Sequence, residues 1–294
     1  MNPSISRRQA AKTLLGGALA AGVAQSLGTR LAAQDAAAPE LKGQVNHSVC
    51  KWCYNDIPLE DLCVAGKKIG LTSIELLEPK DWPTLQKHGL TCAMASGAGY
   101  GIGKGWNRLE HHDGLVESYE DVIPKAAAAG LTNLICFSGN RDGLDDEKGI
   151  ENCAIGIKRL MATAEKHQIN VVMELLNSKV NHPDYQCDKT PWGAALCDAV
   201  GSERFKLLYD IYHMQIMEGD LVATIEKYQG CIAHYHTGGV PGRNEIDDTQ
   251  EINYPRVMRA IVGTGFKGFV AQEFIPKRDD KIASLAQGVQ ICDV

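Results

Sequence analysis

The sequence lacks an apolar run that is clearly long enough to cross a membrane. The stretch "TLLGGALAAGVAQSLG" near the N-terminus is short and interrupted by glycines, whereas a membrane-spanning helix needs about 20 apolar residues. Arg7, Arg8 and Lys12 precede or open this stretch, and no acidic residue occurs before Asp35. A basic start, an apolar centre and small residues after it are typical of a secretory signal. We therefore expect residues 1–33 to be a signal peptide and the mature protein to have no stable membrane span.

The leader also indicates an export route. Ser6-Arg7-Arg8 followed by Lys12 resembles a twin-arginine export signal, with a plausible cleavage point near Ala33. This resemblance implies a periplasmic or other extracytoplasmic location, and twin-arginine export of folded proteins suits a protein that takes up a metal before it crosses. The alternative is a leader that is retained as a membrane anchor. Residues 34–45 are interpreted as a linker, and residues 46–294 as the folded domain.

Long runs of one charge sign are also absent. The net charge of the whole chain is −6, and removal of the leader, which carries four basic residues and no acidic one, changes it to −10. A protein with this net negative charge is repelled electrostatically by nucleic acids and anionic membranes. We therefore expect a small-molecule substrate and no nucleic-acid partner. The sequence is also compatible with a homo-oligomer.

No cysteine occurs before Cys50, although the chain contains ten cysteines in all. The motif "CKWC" contains Cys50 and Cys53 but has no second CxxC that would complete a zinc site. It also lies in an apolar segment, so we interpret these cysteines as structural thiols. A chain of this size does not need a disulfide framework. Cys187 and Cys197, which flank one loop, are the pair most suited to form a bridge.

Apolar runs alternate with helix-like stretches over roughly 250 residues, a pattern that indicates a parallel β/α architecture. Eight such runs predict a (β/α)8 TIM barrel. A doubly wound sheet is less consistent because no GxGxxG follows the first run. The glycine-rich stretch 97–105 is predicted to be a flexible loop over the barrel mouth. The eight runs are 47–53, 71–77, 90–96, 131–139, 169–177, 205–213, 231–239 and 268–274.

Ionisable side chains stand at the ends of the last four apolar runs. Glu174 ends the fifth run, Asp210 and His213 the sixth, His236 the seventh and Glu273 the eighth. In a TIM barrel the carboxyl ends of the strands meet at one mouth. Buried carboxylates need a cation or hydrogen bonds, and one divalent ion can neutralise several of them. Three carboxylates and one imidazole suit Mn²⁺, Mg²⁺ or Co²⁺, and Zn²⁺ is also compatible.

Five segments of the sequence carry a resemblance to a known family. They are "SIELLEPKDW" (73–82), "MELLNSKVNHPDY" (173–185), "YDIYHMQIMEGDL" (209–221), "HTGGVPGRNEIDDTQEINYP" (236–255) and "GFVAQEF" (268–274). The most specific parts are "DIYHMQIMEGDL" and "VPGRNEID…EINYP". These segments resemble the xylose isomerase-like TIM barrels, the sugar isomerase and epimerase superfamily, and most of all its hydroxypyruvate isomerases. The resemblance extends over nearly the whole chain from about residue 46 onward.

The resemblance implies a metal site and a catalytic pair. One divalent ion would be held by Glu174, Asp210, His236 and Glu273, and the two glutamates would also act as acid and base. Isomerisation of an α-hydroxy carbonyl compound removes a weakly acidic C–H proton and places negative charge on two neighbouring oxygens. A cation stabilises this charge, and carboxylates on either side of the planar enediolate can take and return the proton.

The same resemblance assigns substrate contacts. His213 would contact substrate oxygens, and Arg243 would bind the far end of the substrate through a bidentate guanidinium. Glu75, at the end of the second run, is expected to contact either the substrate or a metal ligand. The implied reaction interconverts hydroxypyruvate and tartronate semialdehyde.

Alternatives remain open at this stage. His236 stands where the hydroxypyruvate isomerases carry Gln and the ketose epimerases carry His, so a ketose 3-epimerase or an aldose–ketose isomerase with the same metal site is the second hypothesis. A nuclease of the same superfamily would need a basic groove, which the charge of −10 disfavours. A binding protein without catalytic activity would not require both glutamates.

Overall fold

Six parallel β-strands form the central sheet of the computed structural model, which describes residues 40–294. The predicted signal peptide and the first part of the predicted linker lie outside these residues. The sheet order is β1-β6-β5-β4-β3-β2. The strands are Asn46–Val49 (β1), Asn133–Cys136 (β2), Asn170–Glu174 (β3), Phe205–Asp210 (β4), Ile232–Thr237 (β5) and Phe269–Gln272 (β6).

Two irregular segments, 71–77 and 90–96, complete the barrel between β1 and β2. The chain order is β1, 71–77, 90–96 and β2, and isolated parallel bridges join each neighbouring pair. Backbone hydrogen bonds follow the same path, from Glu75 N–H to Val49 O and from Ala95 N–H to Asn133 O. The TIM barrel prediction is therefore confirmed, because eight segments close the barrel.

The prediction that all eight apolar runs form regular strands was wrong for these two segments. Leu76 has a φ of 57°, which interrupts the extended conformation that a strand requires. The backbone N–H of Ala93 donates to the Ser73 hydroxyl at 2.8 Å and not to a carbonyl of a neighbouring strand. Because of both features, segments 71–77 and 90–96 pair with their neighbours through isolated bridges and not through regular β-ladders.

Nine α-helices accompany the sheet in the described part of the chain. The chain alternates between strand and helix from β2 onward, as the right-handed parallel architecture requires. The helices are Leu59–Ile69 (α1), Trp82–Lys87 (α2), His112–Ala128 (α3), Asp146–His167 (α4), Thr190–Val200 (α5), Ile211–Met217 (α6), Leu221–Tyr228 (α7), Tyr254–Gly263 (α8) and Lys281–Cys292 (α9).

The barrel interior is filled below the mouth by a small apolar cluster. Met94, Ile135, Val172 and Leu208 pack against one another and are at most 5% exposed. Because side chains alternate along a strand, a residue two positions after such an interior residue faces the same side. The apolar cluster therefore supports a second layer of side chains nearer to the mouth.

The start of the described chain packs against its end. The backbone N–H of Lys42 donates to the carboxylate of Asp293, and the Gln44 side chain donates to the carbonyl of Val294. The last part of the predicted linker thus lies along the C-terminus. Within residues 40–294, no helix is both long and apolar enough to cross a membrane.

All ten cysteines lie within the described residues, and all are free thiols. The structure thus lacks the Cys187–Cys197 bridge that the sequence suggested. Cys187 is completely buried, and its backbone N–H donates to the Ser138 hydroxyl at 2.9 Å. Cys50 and Cys53 are also buried, in agreement with their interpretation as structural thiols.

Candidate metal centre

Four ionisable side chains from four consecutive strands meet at the carboxyl end of the barrel. Glu174 is the last residue of β3, Asp210 the last residue of β4, His236 lies in β5, and Glu273 directly follows β6. Each offers one ligand atom, and these four atoms all lie within 4.8 Å of one another. All four residues are buried, and none is more than 4% exposed.

Strand alternation explains why these side chains converge. Glu174 and Asp210 lie two residues after Val172 and Leu208, which fill the barrel interior. His236 pairs directly with Asp210 in the β4–β5 register. The same alternation therefore places all three side chains in the layer just above the apolar cluster.

Asp210 also begins the helix that carries His213. One of its oxygens, Oδ1, accepts the backbone N–H of His213 at 3.0 Å and caps α6. The other, Oδ2, lies 3.6 Å from His213 Nε2. The three-residue spacing in "DIYH" is therefore the spacing of a helix N-cap, and it brings the imidazole back toward the carboxylate.

The hydrogen bonds of the centre connect its four members to Arg243. His236 Nδ1 lies 2.8 Å from Glu273 Oε2 and 3.4 Å from Glu174 Oε1. Arg243 Nη2 donates to Glu273 Oε2 at 2.5 Å and to Asp210 Oδ2 at 3.3 Å. The cationic side chain of Arg243 thus forms hydrogen bonds with two of the carboxylates, those of Glu273 and Asp210, at the mouth of the barrel.

The two glutamates have opposite pKa shifts. Burial raises the pKa of Glu174 above its usual range, and the nearby His236 only partly opposes this. Burial also acts on Glu273, but Arg243 and His236 outweigh it and hold the pKa of Glu273 well below its usual range. Two carboxyl groups with opposite shifts in one site could act as an acid and a base.

The residues present fit a divalent cation. Glu174 Oε1 is buried and has no hydrogen-bond partner among the described residues, and an unpartnered buried carboxylate oxygen is costly unless a cation satisfies it. Three carboxylates and one imidazole form a mostly hard ligand set. The contacts of Arg243 show in addition that the site attracts positive charge.

A cavity of about 380 Å³ opens above this centre, and Glu174, Glu273 and Arg243 line it. The rest of its wall is mainly apolar and includes Ile102 from the predicted mouth loop. The cavity has the size of a small-molecule site. A larger open groove of about 590 Å³, lined by residues 246–248 and 250–255 with two residues of α9, contains none of the four ligand candidates.

A family comparison now decides the classification. The profile described as "Xylose isomerase-like TIM barrel" matches residues 67–291 of the chain. The chain belongs to this family. The xylose isomerase-like match covers every strand of the barrel except β1, and it includes all four residues of the candidate metal centre.

Individual known proteins are similar to this chain over most of its length. The human protein named putative hydroxypyruvate isomerase is 33% identical over 233 residues, which cover 78% of each chain. The 2-oxo-tetronate isomerase of Cupriavidus necator is 32% identical over 239 residues, 76% of this chain and 90% of that protein. The structure titled AP endonuclease, family 2, from Brucella melitensis has a TM-score of 0.73 at 25% identity, and covers 83% of this chain and 97% of its own.

The residues predicted to contact substrate have different positions in this xylose isomerase-like barrel. Arg243 lies at the mouth, where its guanidinium packs against two aromatic rings. The guanidinium carbon is 5.2 Å from the ring centroid of Trp52 and 5.4 Å from that of Tyr212. His213 is completely buried, and its Nδ1 accepts the backbone N–H of Asn177 at 3.1 Å. A neutral His213 therefore carries its proton on Nε2, which faces Asp210. Burial and Arg243 keep the pKa of His213 well below its usual value.

Glu75 lies below the centre and does not line the cavity. Its Oε1 is 2.7 Å from His234 Nε2 and 2.9 Å from His236 Nε2. Burial raises the pKa of Glu75, but His234 and His236 outweigh this effect and hold it at about 2. Of the two contacts expected from the sequence, the structure shows the one to a metal-ligand candidate, His236.

Two residues of the mouth were not among the predicted site residues. Trp52 Nε1 donates to Glu273 Oε1 at 2.8 Å. His182 lines the cavity, and its ring lies 5.3 Å from that of His213. Their positions in the sequence could have identified them, since both lie in segments that follow the carboxyl end of a barrel strand.

Proposed function

We propose that the protein is a metal-dependent isomerase that interconverts hydroxypyruvate and tartronate semialdehyde. The observation that carries the proposal is the meeting of Glu174, Asp210, His236 and Glu273 within 4.8 Å at the floor of a small-molecule cavity. The names of the relatives agree with an isomerase that acts on a small 2-oxo acid. The N-terminal segment leads us to propose that this isomerase is exported.

The two glutamates would move the proton. Glu273, whose carboxylate is kept ionised by Arg243 and His236, is suited to take the α-proton. Glu174, whose pKa is raised by burial, is suited to hold a proton and return it. Both line the cavity, so both can reach a substrate that lies in it. General acid–base help of this kind contributes about 10²–10⁴-fold to a rate.

Glu174, Asp210, His236 and Glu273 would hold one divalent ion. When bound, such an ion would stabilise the negative charge that develops on two neighbouring substrate oxygens. The ligand set suits Mn²⁺, Mg²⁺ or Co²⁺, and it is compatible with Zn²⁺. The identity of the ion is part of the proposal.

Arg243 is the residue that favours a carboxylate-bearing substrate. Its guanidinium is held between two aromatic rings at the cavity mouth, and its backbone carbonyl accepts Ile275 N–H at 2.7 Å. A fixed guanidinium can bind a carboxylate through two parallel hydrogen bonds. The second candidate function, a ketose 3-epimerase or aldose–ketose isomerase, is favoured by the presence of His236 in place of Gln.

A substrate panel tests the choice between these functions. We expect the purified protein to convert hydroxypyruvate to tartronate semialdehyde, followed by NMR, faster than it converts free ketoses. Arg243→Gln should raise the KM for hydroxypyruvate roughly 10- to 100-fold, because a charge-assisted hydrogen bond contributes about 1.5–3 kcal/mol. Turnover of ketoses without turnover of hydroxypyruvate would favour the epimerase instead.

Trp52 provides a second prediction for the same site. Trp52→Phe keeps an aromatic ring at the mouth but removes the N–H that donates to Glu273. We expect the turnover number to fall roughly tenfold, since a hydrogen bond to a charged group is lost. Trp82→Phe is the matched control, because Trp82 is buried and donates to the Leu77 carbonyl. The control should lose stability but keep its turnover number, and equal turnover in both variants would contradict a role for Trp52.

A further inference from the structure

A second group of ionisable side chains lies beneath the candidate metal centre. Glu75, His234 and His236 each offer one atom to it, and all three residues are completely buried. A single oxygen, Glu75 Oε1, lies 2.7 Å from His234 Nε2 and 2.9 Å from His236 Nε2. His236 therefore belongs to both groups and joins them.

The backbone places these three side chains together. His234 and His236 are two residues apart in β5, so both face the barrel interior, with His234 deeper. Glu75 lies in the irregular segment 71–77, where its N–H donates to Val49 O at 2.8 Å and its carbonyl accepts Lys51 N–H at 3.1 Å. Both backbone groups of Glu75 are thus bonded to the neighbouring strand region, which holds its side chain in the interior.

The hydrogen-bond chemistry of this group determines where the protons are. An ionised carboxylate can only accept hydrogen bonds, so both imidazoles must carry a hydrogen on the Nε2 atom that faces Glu75. By the same rule, Nδ1 carries a hydrogen when it faces the ionised Glu273, which lies 2.8 Å away, and Glu174 is 3.4 Å from the same atom. A divalent ion at Nδ1 would replace that hydrogen, and the bond to Glu75 would then keep the remaining one on Nε2.

We propose that Glu75 is a positioning residue that selects the tautomer and ring orientation of His236 in which Nδ1 is available as a metal ligand, and that His234 holds Glu75 in place. This inference rests on the proposed function, because it concerns the affinity of the same site for a divalent ion. Carboxylates that accept the second N–H of a ligating imidazole typically change metal affinity 10- to 100-fold when they are replaced.

The contacts of the group distinguish this role from a purely structural one. Glu75 Oε2 and His234 Nδ1 are buried without a hydrogen-bond partner among residues 40–294. A buried polar network whose members are only partly satisfied is a poor means of stabilising a fold. Glu75 and His234 also do not line the mouth cavity, which argues against a direct contact with substrate.

Two measurements on Glu75→Gln test the proposal. The first is calorimetric titration of the chelator-treated full-length protein with Mn²⁺, where we expect the dissociation constant to rise 10- to 100-fold. The second is ¹⁵N NMR of histidine-labelled protein without added metal, where His236 should carry hydrogens on both ring nitrogens in the wild type and lose the one on Nε2 in the variant. A glutamine amide can donate as well as accept, so it no longer selects Nε2–H.

Ser48→Ala is the matched control. Ser48 is also a completely buried polar residue, and its hydroxyl donates to Ser73 at 2.9 Å. This control should lose a comparable buried hydrogen bond while its dissociation constant for Mn²⁺ stays within twofold of the wild type. If Glu75→Gln does not fold, His234→Gln provides the second variant, with an expected three- to tenfold rise in the dissociation constant.

The possible failures are distinguishable. If the wild type binds no divalent ion, the proposed function is wrong, and the NMR measurement still decides whether Glu75 selects the His236 tautomer. If the wild type binds Mn²⁺ and a folded Glu75→Gln variant binds it equally well, the positioning role is wrong while the proposed function stands. A wild-type His236 signal without a hydrogen on Nε2 would also overturn the inference.

Discussion

Replacement of Glu273 or Glu174 by Gln is expected to abolish the interconversion of hydroxypyruvate and tartronate semialdehyde. Glutamine keeps the size of the side chain and one oxygen for a cation, but it cannot take or hold the proton at neutral pH. We expect the rate of interconversion, followed by NMR, to fall by about 10²–10⁴-fold in each variant. This is the largest effect that the account predicts for a single substitution.

Glu251→Gln is the matched control for this experiment. Glu251 is exposed and accepts a hydrogen bond from Gln215 at the protein surface, so we expect the rate of interconversion in this variant to remain that of the wild type. The metal content of all three variants should be measured, because a loss of the ion would also stop the reaction. Rapid interconversion in a metal-loaded Glu174→Gln or Glu273→Gln variant would show that the assigned acid–base pair is incorrect.

Removal of divalent ions should also eliminate activity. Dialysis against a chelator is expected to lower turnover of hydroxypyruvate at least 100-fold, and addition of Mn²⁺ should restore it. Three carboxylates are concentrated at the floor of the cavity, so the ion-free site is expected to be less stable as well. At a free ion concentration of 100 times the dissociation constant, binding stabilises the folded protein by about 2.7 kcal/mol.

Thermal unfolding provides the internal control for the chelation experiment. A protein of this size should gain several degrees in Tm when Mn²⁺ is added in that excess. Full turnover in protein shown by elemental analysis to contain no divalent ion would rule out a metal-dependent reaction. Turnover that is lost on chelation but not restored by any divalent ion would indicate irreversible damage, and the Tm measurement would reveal it.

The convergence of the four ligand candidates could be predicted from the sequence because parallel strands impose it. Every strand of such a barrel runs in the same direction, so polar residues at the ends of apolar runs reach the same mouth. The alternation in "HYH" also places His234 and His236 on one face of β5. Glu174 and Asp210 needed no further information, because each ends its strand.

The irregular part of the barrel could not be predicted in the same way. Segments 71–77 and 90–96 have the apolar composition of strands, but their pairing depends on the φ of Leu76 and on a hydrogen bond from Ala93 to the Ser73 hydroxyl. The first is a local backbone angle and the second a contact between distant parts of the chain, and the spacing of apolar residues in the sequence predicts neither of them. Glu75 lies in this same region. For that reason the sequence did not decide whether its side chain contacts the substrate or a metal ligand.

The position of Arg243 also needed the structure. The sequence places it in a loop after β5, where a solvent-exposed arginine would be usual. In the structure it has a φ of 59°, packs between Trp52 and Tyr212, and reaches Glu273 and Asp210. Neither aromatic partner is close to it in the sequence, so only the folded barrel shows how the guanidinium enters the site.

Anomalous diffraction from crystals soaked in Mn²⁺ would show whether the four side chains hold one ion. We expect one strong anomalous peak within about 2.6 Å of one atom from each of Glu174, Asp210, His236 and Glu273. For His236 that atom should be Nδ1. A peak at another place in the barrel, or no peak in crystals of protein that is active with Mn²⁺, would contradict it.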